Sequence, residues 1–562
     1  MEIKNWLPLL EYSAGNPLTL TVVIGQALHD GLKTSKELEA FVLQLRAGEA
    51  NFKFDASEGR SESLTASLSY GFENAFSDLE RKQLSLLYLF QGFVNIAVLR
   101  EMGNPEQDYC LREIRGLTGA SARALLSRAA EVGLLTDRGQ GHYFIHPAVP
   151  FFFGLMFQKY YFGSEERATR SFVESMDALG NSFYWQVQRG DHTIIPVIAA
   201  EEENLLHALR IARSRGWKHA VVETMQGLRG LYAYAGRTAE WERLVKEIVP
   251  EFVDPETDGP LTGWEEQWSI VTEYRVRLAT AERAYEEAER LQRMCVAWDR
   301  QRSTHLIEKH ESSLDDEQRN ILRMLAVSLE MLGDIQRFKN ESGCLSSYEE
   351  ALSIYNQIKD RVAEGNAAHS LGKAHHHLPE IQDLDQAEHW YGMSIQLLEK
   401  TDLLGESRAW NSLGEVSHQK FLNDRNANEP KADLIRRLNE SLRFYRKALS
   451  LLPSSEVGLL ATINQNLGLL YGEALEYDLA LSHYNRSIQL FEKGGNRFEA
   501  ARARYNSAVS LAHSKDHLPV ALEYAKSALQ NYDILESRGT AAQKANRLLE
   551  EIERRIIESR RD

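Results

Sequence analysis

The sequence predicts a mainly α protein: a helical N-terminal part with one small hairpin, followed by a solenoid of stacked helix pairs. Two observations lead there. The C-terminal half repeats one helix-pair pattern, a small residue inside one helix and then a small-plus-aromatic signature on the next. Gly333, Gly372, Gly414, Gly468 and Ala508 mark the pattern, 39, 42, 54 and 40 positions apart. Self-similarity at such a period marks units that bury their apolar faces only against their neighbours. In the rest of the chain, apolar residues recur at three- and four-residue steps, the spacing of a helix with one buried face.

Taken in order, Leu18–Leu32 carries the helical period, and Asn16-Pro17 before it is a turn-and-start signal. A second helical stretch spans about Leu64–Phe72. Ser77, three residues before Glu80, forms a capping box for a buried helix through Leu84, Leu87, Phe90 and Phe93. Asn95–Met102, Glu106–Leu117 and Ser121–Val132 supply three more helices. A hairpin follows, with Asp137–Gly141 as its turn and His142–Ile145 as its return strand. Helices followed by a two-strand wing describe a winged helix. Between Arg81 and His146 stand eight Arg or Lys against six acids, a thin positive balance for a surface that must neutralise several phosphates. A packing role is therefore favoured over DNA binding, for which the candidate recognition helix offers only Arg123 and Arg128.

Residues from about 165 to 310 are helical without regular repeats. Asn204–Ala212, Ala220–Ala235, Trp241–Ile248, Trp264–Ala281 and Ala284–Val296 mark the helices, and Pro255, Gly259 and Pro260 interrupt them. Glu308–Glu317 is charged and reads as a solvated connector. The organisation expected is a helical subdomain over 1–75, a winged-helix-like domain over 76–162, an irregular helical region over 163–312 and repeats over 313–562.

The repeats resemble the tetratricopeptide repeat. The fourth has Leu467-Gly468, Tyr471, then Ala480, Tyr484 and Ser487. The third has Trp410, Leu413-Gly414, then Ser441, Tyr445 and Ala448; the second has Leu371-Gly372, Ala387 and Tyr391. The first has Leu332-Gly333, Tyr348, Ala351 and Tyr355, and the fifth has Tyr505, Ala508, Ala521, Tyr524 and Ser527. Small residues let paired helices approach closely, and the aromatic fills the groove toward the next repeat. The periods exceed the usual ~34 residues, which predicts longer turns, above all around 420–435.

A second resemblance spans the chain more broadly. Gly15-Asn16-Pro17-Leu18 and Ile145-His146-Pro147 resemble motifs of STAND-type signal-transduction NTPases, relatives of NB-ARC proteins. The runs Ser63–Tyr70 and Gly236–Trp241 look like those of bacterial STAND proteins with tetratricopeptide tails. The resemblance implies that Pro17 packs near the adenine of a bound nucleotide and that His146 contacts the β-phosphate of ADP. No G-x-x-x-x-G-K-[ST] occurs; the one Gly-Lys pair, Gly372-Lys373, runs into Ala374 inside a repeat. The family's phosphate-binding fold would lie before residue 1. The chain alone is therefore expected to carry no cofactor, with ADP or ATP held only together with an upstream NTPase domain.

The formal charge of −16, from 65 basic and 81 acidic residues, argues against general nucleic-acid binding. Cys110, Cys295 and Cys344 lie far apart without a CxxC, as in a reducing compartment. No secretory signal or bilayer-spanning run is visible, so a cytoplasmic location without membrane contact is expected. Adjacent residues on a helix diverge, so His375-His376-His377 reads as a helix end whose imidazoles serve terminal carbonyls, and no metal is expected. Runs such as Glu201-Glu202-Glu203 read as solvated faces, and no catalytic constellation emerges. The function expected is that of a non-enzymatic sensor and scaffold. A protein or peptide binds the concave repeat surface and is relayed to an NTPase or effector, in cis or in trans. Throwing such a switch fully takes about 5.5 kcal/mol of differential binding, which an extended surface can supply. The alternative is a ligand-sensing transcription regulator that reads DNA through the winged helix.

Overall fold

The structure, a computed structural model, describes residues 6–13, 20, 23–25, 27–28, 31–49, 68, 72–139, 143–145, 149–188, 194–453, 456–534 and 540–559. The chain divides into two compact units, residues 1–274 and 275–562.

The first unit begins with α1 (Leu7–Tyr12) and α2 (Ser35–Glu49), which bury Leu9, Tyr12, Leu38, Phe41 and Leu45 in one small cluster. At α3 (Asp78–Ser85) the capping box forms. The Ser77 hydroxyl accepts from the Glu80 N–H at 3.4 Å, and the Glu80 carboxylate accepts from the Ser77 N–H at 2.9 Å. The apolar run beyond it does not continue as one helix. It tightens into a 3₁₀ turn over Leu86–Leu89, Gly92 turns at φ +71°, and Phe93–Val94 becomes strand β1.

After α4 (Ile96–Glu101), the helix expected over Glu106–Leu117 is replaced by turns around a 3₁₀ segment at Arg112–Ile114. The Asn104 side chain takes the Glu106 N–H at 3.1 Å and Gly116 sits at φ +80°. A side-chain acceptor of this kind competes with the helical ladder for its donors. Then come α5 (Gly119–Glu131), β2 (Leu135–Asp137) and β3 (Tyr143–Ile145), and the sheet order is β1-β3-β2, antiparallel throughout. The sequence suggests two strands here; a two-residue strand carries no alternation by which it can be read.

Helices α6 (Pro150–Tyr160), α7 (Glu165–Gln188), α8 (Ile195–Arg215), α9 (Lys218–Ala235) and α10 (Thr238–Phe252) complete this unit with the first part of α11 (Glu265–Ala281). Glu201 is fully buried, not solvated. Its carboxylate accepts from Asn95 Nδ2 at 2.7 Å and Asn204 Nδ2 at 2.8 Å, while Asn204 Oδ1 takes the Gln91 N–H at 2.6 Å. Glu202 accepts from Tyr232 and Arg237, both at 2.8 Å. In the Gly236–Trp241 run, Gly236 ends α9 at φ +67° and Arg237 lies over the Tyr232 ring at 4.6 Å.

The second unit is an α-solenoid. After α12 (Tyr285–Ser303) come the pairs α13 (Asp316–Phe338) with α14 (Cys344–Ile358), α15 (Arg361–His377) with α16 (Leu384–Leu398), and α17 (Leu403–Asn426) with α18 (Lys431–Leu451). They are followed by α19 (Val457–Glu473) with α20 (Tyr477–Lys493), α21 (Arg497–Leu511) with α22 (Leu518–Ile534), and the closing helix α23 (Thr540–Ser559). The extra residues around 420–435 do not make a long turn. They lengthen α17 and α18, leaving only 427–430 between them, because a helix continued against its partner satisfies its own backbone. Most described residues of the 308–317 connector are exposed, and its start is held where Gln357 Nε2 donates to the carbonyls of Leu306, Ile307 and Lys309 at 3.2, 3.0 and 2.9 Å.

The ruler residues explain the pairing. A Cβ on Gly333 would lie 2.6 Å from the Tyr348 ring, and on Gly372, Gly414 and Gly468 at 2.6, 2.5 and 2.7 Å from Tyr391, Tyr445 and Tyr484. These rings reach the next repeat as well. Tyr348 shares a buried cluster with Leu371, Tyr391 with Leu413, and Tyr445 with Leu467, Tyr471, Ala480 and Tyr484. In the fifth pair the bulk is exchanged: Ala508 packs with Ala521 and Ala525, and Tyr524 lies at the margin, its hydroxyl bonded to Asn485. Leu332, Leu371, Leu413 and Leu467 are all buried in these seams, and Trp410 lies 5.5 Å from Phe444.

Candidate functional site: the polar inner face of the repeats

Successive first helices, α13, α15, α17, α19 and α21, touch one another along the stack, whereas successive second helices touch at most marginally. The first helices therefore form the inner wall. On a helix, positions −6, −3, +1 and +4 from the ruler residue share one side, set off from the side that meets the tyrosine. On α13 that side carries Val327, Glu330, Asp334 and Arg337; on α15, His369, Lys373 and His376; on α17, Arg408, Asn411, Glu415 and His418.

These side chains are linked from helix to helix. Ser370 Oγ reaches Glu330 at 3.5 Å, His369 Nε2 lies 3.1 Å from Ser412 Oγ, and Asn466 Nδ2 donates to Asn411 at 3.1 Å and to Glu415 at 2.9 Å. Within repeats, the Tyr355 hydroxyl donates to Glu330 at 3.2 Å, and the Tyr348 hydroxyl donates to Asp334 at 2.8 Å. Arg337 contacts both Asp334 (3.2 Å) and Tyr348 (3.3 Å).

Burial acts on these groups before their neighbours do. Glu330 is pushed up to about 7 by burial and then by Asp334, against the bonds from Tyr355 and Ser370 and the charge of Lys373. Burial also raises Glu415, against its two asparagine bonds. Lys373 is lowered, first by burial and then by Arg337, with Arg408 adding to the effect and Asp334 opposing it. His369 is held well below the usual imidazole range by burial and by Lys373, Arg408 and Arg337; burial and then His377 bring His376 down to about 4. Three cations from three successive repeats thus act on one region. Arg337 has its own partners, while half-buried Lys373 and exposed Arg408 make no hydrogen bond or ion pair with any described residue.

The histidine run ends α15, but its carbonyls are served otherwise than the sequence suggests. The Asp383 N–H donates to His375 O and Gln382 Nε2 to His376 O, both at 2.8 Å. Glu415 brings a third potential ligand atom within 4.8 Å of those of His376 and His377, a convergence that adjacent positions on one helix do not reveal. The two rings are stacked, 4.0 Å between centres and 23° between planes. Their in-plane lone pairs run nearly parallel and do not aim at one ion.

Pro17 and His146 lie outside the described residues. Sequence reading passed over Glu330, Asp334, Arg337, Lys373, Arg408 and Glu415. The signal available was their fixed offset from the ruler residues, but offsets alone do not distinguish an inner wall from a solvated side. Among the described residues no helix is long and apolar enough to cross a membrane. Elsewhere, a cleft of about 370 Å³ in the first unit is lined by Tyr109, Arg170 and Trp217, with Arg170 over both rings and paired to Glu174. Arg167, also in its lining, donates to Cys110 O at 3.0 Å, so both of its cations are already engaged.

No family model matches the chain, and no curated protein matches it. Among solved structures, it is similar to the Signal Transduction ATPase with Numerous Domains (STAND) protein with a tetratricopeptide repeat sensor from Pyrococcus horikoshii. That likeness has a TM-score of 0.52 at 12% identity and covers 96% of this chain and 73% of that one. A Rap protein complexed with competence and sporulation factor matches at a TM-score of 0.39 and 11% identity, over 68% of this chain and 99% of that one. BtubC from P. vanneervenii matches at 0.30 and 14%, over 46% and 90%. At such identities the first likeness concerns the fold alone, and the other two carry no further argument.

Proposed function

We propose that the chain is a protein-binding sensor and scaffold whose inner repeat face holds a peptide segment of a partner. The observation that carries this is the alignment of polar and ionisable side chains from successive first helices, with Lys373 and Arg408 making no hydrogen bond or ion pair with any described residue. A folded chain normally satisfies or solvates such groups; a row of them along one wall suits an extended ligand. The division into a helical subdomain (1–75), a winged-helix-like domain (76–162), an irregular helical region (163–312) and repeats (313–562) belongs to this reading. So does relay to an NTPase or effector, in cis or in trans, supported by the fold likeness to a STAND protein with a repeat sensor. Retrieval of partners from a lysate by the full chain and by a form lacking residues 320–560 tests it. Retention of every partner by the shortened form would remove the scaffold role.

The DNA-reading alternative is less favoured. Arg128 is held by Glu80 and lies 5.4 Å from the Phe76 ring centre, so one of the two basic groups on α5 is engaged within the fold. Duplex binding that is steeply salt-dependent and weakened by Arg123→Ala would support it. A nucleotide contact through Pro17 and His146 is decided by titration with labelled ADP.

A further inference from the structure

We infer that the cleft at the start of α7 is a seat for a guanidinium group, held by Asp108 and Glu166 against the rings of Tyr109 and Trp217. The site lies in the first unit and does not rest on the reading of the repeats.

Three elements build the cleft. Asp108 and Tyr109 stand in the turns that replace the helix expected over Glu106–Leu117. Glu166, Arg167 and Arg170 stand on the first turns of α7, and Trp217 stands just before α9. Glu174 accepts from Arg170 Nε at 2.6 Å and lies 2.5 Å from its Nη2, and Arg167 is bonded to Cys110 O. Asp108 and Glu166 are exposed and make no hydrogen bond or ion pair with any described residue. With the cations spent inside the fold, the groups left for a ligand are two carboxylates and two partly open rings, Tyr109 being 37% exposed. Carboxylates and ring faces both attract positive charge.

A buried group on the same helix points the same way. Asp177 is 7% exposed, and its Oδ1 has no hydrogen-bond partner among the described residues. Glu223 and Glu174 act on it with like charge and Arg170 with opposite charge. Asp108, Glu166, Glu174 and Asp177 thus outnumber Arg167 and Arg170, so a positive ligand completes the balance and an anion has no free cation to meet. The net charge of −16 steers cations toward the chain as a whole. The kind of cation follows from what the fold already does there. The Arg170 guanidinium lies 4.9 Å from the Tyr109 ring centre and 4.5 Å from that of Trp217, with Glu174 beside it. A guanidinium offers a flat face to a ring and a fork of N–H donors to a carboxylate, which an ammonium group does not. A volume of about 370 Å³ is at the small end of ligand pockets and suits one such group on a short stem. An arginine side chain of another protein and a free small guanidine share this chemistry.

The test uses the full chain labelled with fluorotryptophan and followed by fluorine NMR, the Trp217 resonance being assigned with Trp217→Phe. The probes are a glycine–arginine–glycine tripeptide blocked at both ends, its lysine and citrulline counterparts, agmatine and inorganic phosphate. We expect the arginine peptide or agmatine to move the Trp217 resonance at about millimolar concentration or below. The citrulline peptide, a neutral isostere, should bind at least about tenfold more weakly, the scale of a lost bond to a charged group. Tighter binding of the arginine peptide than of agmatine assigns the seat to a side chain of a partner protein, and the reverse order assigns it to a free small guanidine. Asp108→Asn and Glu166→Gln should each weaken the binding about tenfold and should melt as the parent does. No movement with either guanidine, equal binding of the citrulline or lysine peptide, unchanged binding in both variants, or tighter binding of phosphate would each overturn the inference.

Discussion

Gly414 and Tyr445 are in direct contact across the third helix pair: a Cβ on the glycine would lie 2.5 Å from the ring's Cε1. The ring is rigid and 1% exposed, so it has no room to yield. Gly414→Ala and Gly372→Ala should therefore each destabilise the chain by about 1–3 kcal/mol, the range for overpacking. Helix propensity favours alanine by up to about 1 kcal/mol and offsets part of this. Gly392, helical with nothing within 4 Å of a Cβ, is the control: Gly392→Ala should leave stability unchanged or raise it. Thermal melts of the three variants check the pair of outcomes.

Glu330 makes the repeats sensitive to pH. Its carboxyl is pushed up to about 7, above the usual ~4.3 of an unfolded chain. Between those values the folded state binds more protons than the unfolded one, so stability falls as pH rises from about 4.3 to about 7 and is level beyond. Glu330→Gln should keep the bonds from Tyr355 or Ser370 in part, flatten this slope and raise the melting temperature at pH 8. A variant whose pH slope matches the parent's would contradict the assignment.

Asp177 places a similar load on the first unit. It is buried, its Oδ1 has no hydrogen-bond partner among the described residues, and burial followed by Glu223 and Glu174 pushes it up to about 9, against Arg170. The folded form again holds the extra proton, so stability is lost progressively from about pH 4 to about pH 9. Asp177→Asn should stabilise by about 1–3 kcal/mol at pH 8 and by little at pH 4. Denaturant midpoints at the two values measure the difference.

Asn204 ties β1 to α8. Its amide takes the Gln91 N–H at 2.6 Å and donates to Phe93 O at 3.0 Å and to Glu201 at 2.8 Å. Asn204→Ala removes all three bonds and should cost at least about 1–3 kcal/mol, the penalty for one buried group left unsatisfied. Hydrogen exchange at the Gln91 amide should accelerate more than at amides of α7. Equal acceleration at both would mean that the bond does not anchor the strand.

The helix pairs were legible because they rest on local chemistry. A small residue, a ring and a turn at fixed spacing say where two neighbouring helices meet, and Gly468 to Ala480 to Tyr484 is short enough to read directly. The exchange of bulk in the fifth pair was less so, since Tyr524 and Ala525 are adjacent and only packing shows which of them meets Ala508. Turn content misled where a backbone donor had a better local partner, as at Asn104, or where inserted residues could extend existing helices, as in α17 and α18.

The sequence by itself determined the mainly helical fold, the repeat period and the absence of a complete phosphate-binding motif, because each is written within a few tens of neighbouring residues. Only the tertiary structure decided which polar residues matter. Lys373 and Arg408 are 35 positions apart, and Glu201 and Asn95 are 106 apart. Periodicity gives the direction in which a side chain points from its own helix. What it meets there depends on a helix supplied by another part of the chain, and that meeting sets burial, partner and charge.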